Sequence, residues 1–178
     1  MKEVESSNFK EANISLILND YNDIFSDFDP RNYAERALSD DFLTECRRAA
    51  RDKDSNHEID IKLLVPGKHR NANDERTIKK RLISHFQKHF NEKHKEIKSI
   101  KNRGVMWFFI GSLIMFGVTL TTEYSNFLWK YITILGEPAG WFMFWEGLGK
   151  VFILSKNLNP DLEFYKKMAH ANIIFSSY

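Results

Sequence analysis

Cysteine occurs once, at Cys46. A lone thiol excludes an intramolecular disulfide framework and fits a reducing compartment, where it serves as a small core residue. Proline is scarce as well: Pro30, Pro66, Pro138 and Pro160 are the four. Long helices are therefore interrupted at few places. There is no strong excess of charge of either sign, since 26 Lys and Arg face 24 Asp and Glu. Net charge alone therefore indicates no polyanionic or polycationic partner. Phosphate-cradling Gly-rich loops, a G-x-S-x-G elbow, H-E-x-x-H and clustered zinc ligands are all missing, so no enzyme class and no cofactor is indicated. The N-terminus "MKEVESSNFKEANIS" is polar throughout, and a cleavable signal is not expected.

What the chain does contain is a long uncharged run. Between Arg103 and Glu123 lie the nineteen residues "GVMWFFIGSLIMFGVTLTT". As a helix they rise about 28 Å, close to the roughly 30 Å of bilayer hydrocarbon. The mean hydropathy of -0.44 conceals this. Residues 1–103 are strongly polar, whereas 104–154 hold Trp107, Trp129, Trp141 and Trp145 with a dense set of Phe, Leu and Ile. Charge is equally uneven: nine Lys or Arg fall between Lys79 and Arg103, against Glu92 and Glu96. Basic residues flanking a span mark its cytoplasmic side, so the N-terminal half is expected inside.

The expected organisation is α+β. A small cytosolic domain with a short sheet and several helices occupies residues 1–103, a two-helix transmembrane hairpin 104–154, and a helix with a closing strand 155–178. "NISLILND" and the alternating "EIDIKLLVP" predict strands. "PRNYAERAL" predicts a helix with Pro30 in its first turn, and "DDFLTECRRAAR" a second helix begun at Ser39. The carboxylates of "DYNDIFSDFDP" fail the calcium-loop spacing and fit turns and caps. From Asn73, Ile78, Leu82, Phe86 and Phe90 form one apolar stripe, which Ile97 and Ile100 resume, in a helix running unbroken into the apolar stretch. "TTEYSNFLWKYITILGEP" is expected to be a short outer connection, and about Pro138 to Leu154 a return span. "NLNPDLEFYKKMAHANIIF" then gives a helix and a strand suited to joining a cytosolic sheet, with Lys156, Lys166 and Lys167 on the inside. Both termini are placed in the cytoplasm.

Five sets of residues are candidates for function. Glu146 and Lys150, four apart, share a helix face and could pair. A charge within a span faces a bundle interior, a partner subunit or water, so the two mark a pore lining or subunit seam, unless the segment is interfacial. Gly104, Gly111 and Gly117 in the first segment, with Gly136, Gly140 and Gly147 in the second, permit close helix approach within the hairpin or between subunits. Gly136 and Gly140 make a bare GxxxG, with Pro138 inside it arguing for a turn. His85, His89 and His94 lack a completing carboxylate, which favours a basic solvated face over a metal site. On that face Lys88, Lys95, Lys98, Lys101 and Arg103 could meet lipid headgroups or RNA phosphate, or line a cytosolic vestibule. Arg51 and His57 match the loose R-x(4-6)-H pattern of HEPN ribonucleases, a spacing that chance readily supplies.

Several stretches in order, "IFSDFDPRNYAERALSDDF", "IDIKLLVP", the basic helix entering "GVMWFFIGSLIMF", and "EPAGWFMFWEGLGKVF" with the closing helix and strand, resemble a widespread family of small bacterial two-span membrane proteins. Within it, the chain is similar to the membrane accessory proteins of type VI-B CRISPR systems. The resemblance implies a bacterial inner-membrane protein that strengthens the antiviral immunity of an RNA-guided RNA-cleaving effector by assembling into an oligomeric membrane pore. That class also carries a divergent HEPN motif, which here could only be Arg51 and His57, outside a helical context. The alternatives are a membrane-tethered RNA-binding or RNA-cleaving module, and a scaffold without conductance.

Overall fold

The computed structural model describes residues 13–51, 59–121 and 126–178. The chain divides into two compact units, one of Met1–Asn91 with Asp161–Tyr178, the other Glu92–Pro160.

The first unit is built on a three-stranded sheet ordered β1 (Asn13–Ile17), β2 (Asp60–Val65), β3 (Asn172–Ser177), with both pairings parallel. Parallel neighbours cannot be joined by tight turns, so helical crossovers separate them in sequence. Alternation dictates which side is covered: along β2, Ile61, Leu63 and Val65 are buried while the residues between them are half-buried. In register, Ile14, Ile61 and Ile173 lie side by side across the sheet, all buried. The core they belong to includes Phe42, Cys46 and Ala50 of α1 (Asp40–Arg51), and Ile78, Leu82 and Phe86 of α2 (Ala72–Thr121). Phe164 and Met168 of α5 (Asn159–Ala169) complete it. The stripe expected on α2 is this core face, with Ile78, Leu82 and Phe86 at most 1% exposed. Its expected continuation, Ile97 and Ile100, is buried in the second unit.

Two sequence expectations fail here for local reasons. Residues 30–38 form turns rather than a helix. The Asp29 carboxylate receives hydrogen bonds from the Arg31 side chain and the Ala37 N–H, which holds it well below the usual carboxylate range. Arg36 donates to the Ser26 carbonyl, and Phe25 bridges Leu38 antiparallel. Asp and Asn side chains that satisfy backbone groups locally compete with helix, and here they win. By contrast Asp20 caps a short 3-10 turn, Tyr21–Ile24, with Asp23 returning the bond, as expected of turn carboxylates.

The second failure concerns the outer connection. Phe127–Leu148 is a single helix, α3, with Pro138 inside it, so most of the supposed connection is helical. Pro138 has no N–H to offer the Ile134 carbonyl, a loss that helices in apolar surroundings tolerate. A π-helical stretch, Gly149–Leu154, and the single turn α4 (Ser155–Asn157) follow. Among the described residues, α2 is the one helix long and apolar enough to cross a membrane. The overall class is thus mixed helix and sheet with one long apolar helix.

Candidate functional site

Within the second unit, glycines determine how α3 lies along α2. A Cβ on Gly104 would come within 2.9 Å of the Gly147 carbonyl oxygen, and one on Gly111 within 2.7 Å of that of Gly140. Gly136 meets Val118, its imagined Cβ only 2.5 Å from a valine methyl. Numbers rise along one helix as they fall along the other, so the two are antiparallel. Gly104 and Gly111 are seven residues apart, as are Gly140 and Gly147. A seven-residue repeat keeps one stripe facing the partner over several turns, and four hydrogens in place of side chains bring backbone against backbone. Gly117 is not in this seam, because a Cβ there would meet nothing within 4 Å. The Gly136–Gly140 pair, interrupted by Pro138, contributes to packing rather than to a turn.

This register relocates the charged residues. Glu146 and Lys150 do pair, and the Lys150 ammonium also lies 5.6 Å from the centroid of the Trp107 ring. With Gly147 against Gly104, however, the pair stands level with the first residue of the uncharged run, beside Arg103. The second carboxylate on α3 is Glu137. It follows Gly136, which touches Val118, so it lies alongside the uncharged part of α2. Glu137 is exposed, and among the described residues it forms no ion pair. It borders a cleft of about 470 Å³ lined by Met115, Val118, Thr119, Glu137, Pro138 and Trp141. Glu137 stands one residue before Pro138, where the second apolar segment is expected to begin, and so falls outside that segment. A carboxylate inside "ITILGEPAGWF" was the available signal.

In the first unit, the His85 and His89 rings are 4.4 Å apart, and His89 stacks on Tyr165 at 5.3 Å. The buried His85 Nε2 has no hydrogen-bond partner among the described residues. Burial, with His89, Arg81 and Lys88 nearby, pulls its pKa down to about 4, so the ring is neutral at pH 7. No group of three His, Cys, Asp or Glu suited to a metal occurs among the described residues. Cys46 is fully buried, and burial pushes its thiol up to about 12. Lys88, Lys95, Lys98, Lys101 and Arg103 are all exposed. Arg51 is the exposed last residue of α1, and His57 lies outside the described residues.

Comparisons with protein-family models, curated proteins and solved structures find no match for this chain.

Proposed function

We propose that this chain is a membrane protein that crosses the bilayer twice, assembles into a closed homo-oligomer around a pore, and assists an RNA-guided RNA-cleaving effector in antiviral defence. The observation that carries the double crossing is the pairing of β3 with β2. These strands flank α2 and α3 in sequence yet share one sheet, so they lie on the same side of any membrane. If α2 crosses, the chain must cross back, and α3 is the segment available. At 22 residues it would rise about 33 Å, enough for the hydrocarbon layer.

Burial supports a lipid setting. The most apolar window of α2 has a mean hydropathy of 1.6 yet is only 17% buried, whereas the core helix of a soluble protein hides such a face. On α3, Phe127, Leu128, Ile134, Phe142 and Trp145 are exposed too. Assembly follows from the charges α3 would carry into the bilayer. Lys130 and Glu146 are costly against lipid and are better placed toward a partner subunit or a water-filled lumen. The exposed basic run from Lys88 to Arg103 suits the cytosolic mouth, which puts both termini in the cytoplasm. The link to the RNA-guided effector rests on the family resemblance of the sequence, and no catalytic step is assigned to the chain.

The test is permeability of liposomes carrying the purified oligomer. Dye or ion leakage is expected, with ion selectivity altered in Glu146→Gln. Tight vesicles in every condition, including with the RNA-guided effector and its target present, would overturn the pore. Protection against phage should survive Arg51→Ala combined with His57→Ala. Its loss would restore the ribonuclease reading.

A further inference from the structure

The Glu137 cleft has the makings of a binding site, and the geometry points to an aminophospholipid headgroup, a primary ammonium on a phosphodiester, as its occupant. Four observations combine. The cleft of about 470 Å³ falls within the range of small-molecule sites. Its one charged wall is the Glu137 carboxylate, for which no described residue supplies a cation. Trp141 stands one helical turn further along the same face and gives an aromatic wall, the side chain that best attracts a cation. Met115, Val118 and Pro138 make most of the remainder apolar, and the Thr119 hydroxyl donates to the Met115 carbonyl, so a strongly hydrated inorganic ion finds few replacement ligands there.

Depth selects a lipid over a free amine. Val118, beside Gly136, is four residues short of Thr122, the last of the uncharged run, so the carboxylate sits in the outer half of the uncharged stretch. Ile134, Trp141 and Trp145, spaced three, four and eight residues from Glu137 on one face of α3, are exposed, an apolar surface on which acyl chains could lie while the ammonium reaches Glu137. Charge complementarity therefore favours zwitterionic lipid with an amine over anionic lipid.

The inference rests on the membrane reading above, and its test is independent of pore activity. The full chain in a neutral detergent is presented with equimolar phosphatidylethanolamine and phosphatidylglycerol of matched chains, and bound lipid is read by native mass spectrometry. Phosphatidylethanolamine adducts should exceed phosphatidylglycerol by about fivefold, the scale of one exposed ion pair with a cation–π contact. Glu137→Gln, which keeps shape and removes charge, should abolish the preference, Glu137→Asp should retain part of it, and Glu146→Gln should leave it intact. Equal binding by the unaltered chain, or an unchanged preference in Glu137→Gln, overturns the site. Displacement by ethylammonium at a concentration equal to the lipid's would also overturn the lipid assignment, leaving a small-amine site. Carbonate extraction separates the two readings: release of the protein from membranes sinks the double crossing, whereas the lipid preference is judged by the adducts alone.

Discussion

His85 shows how one side chain can carry a pH dependence. Its pKa drops from 6.5 to about 4 on folding, chiefly because burial disfavours the charged ring, and His89, Arg81 and Lys88 add repulsion. Below pH 6.5 the unfolded chain takes up a proton that the folded chain refuses until about pH 4. Stability is therefore complete above 6.5 and is lost progressively between 6.5 and about 4, the sign expected when the unfolded state binds more protons. Thermal unfolding of the full chain in detergent should show its melting temperature falling across that window. His85→Phe keeps a ring against Phe86 and removes the titration, so its profile should be flatter there. An unchanged slope would mean that other groups carry it. At this scale the sequence was a partial guide. It identifies the histidines as lacking a metal-binding partner, but not that His85 is half-buried with an unmatched nitrogen, because that burial comes from tertiary packing that residue spacing does not record.

At the scale of elements, the glycine seam makes opposite predictions for residues of one type. Gly111→Ala puts a methyl 2.5 Å from the Phe144 backbone nitrogen, and backbone cannot move aside as a flexible side chain can. It should destabilise the second unit by about 1–3 kcal/mol, the usual scale of overpacking. Gly117→Ala meets open space and should be neutral or stabilising by up to about 1 kcal/mol through helix propensity. Reversible unfolding in mixed micelles measures both, and equal effects at the two positions would remove the seam from the account. Elements with strong periodicity were legible in advance: α1, β2, α2 and β3 stand where the alternation and the 3.6-residue stripe put them. Two were not. In residues 30–38, propensity favoured helix, but Asp29 and Asn32 offered local hydrogen bonds that a pattern of apolar residues does not record. In α3, Pro138 and a polar-looking "GEP" concealed a helix whose stability comes from packing glycines against α2 rather than from its own sequence. A segment that begins at Pro138 also leaves out Glu137, which stands one residue earlier inside the same helix.

For the whole molecule, the decisive constraint is that a sheet cannot be shared across a bilayer. Asp60 to Val65 and Asn172 to Ser177 are in continuous parallel register, so whatever lies between them must return to its starting side. This yields a labelling prediction that needs no knowledge of pore or partner. The native thiol should not interfere, because Cys46 is buried and its pKa is raised to about 12, leaving little thiolate at neutral pH. Asn126, exposed just before α3, is the reporter for the far side, and Asp27 and Lys166, exposed in the first unit, report for the near side. In intact spheroplasts an impermeant maleimide should label Asn126→Cys and spare Asp27→Cys and Lys166→Cys until the membrane is opened. Labelling of all three in intact cells, or of none, would refute the double crossing. Labelling of Asp27→Cys and Lys166→Cys with Asn126→Cys protected would keep the crossing and invert its orientation. In that case the basic residues from Lys79 to Arg103 could no longer be assigned to the cytosolic mouth, and the termini would not lie in the cytoplasm.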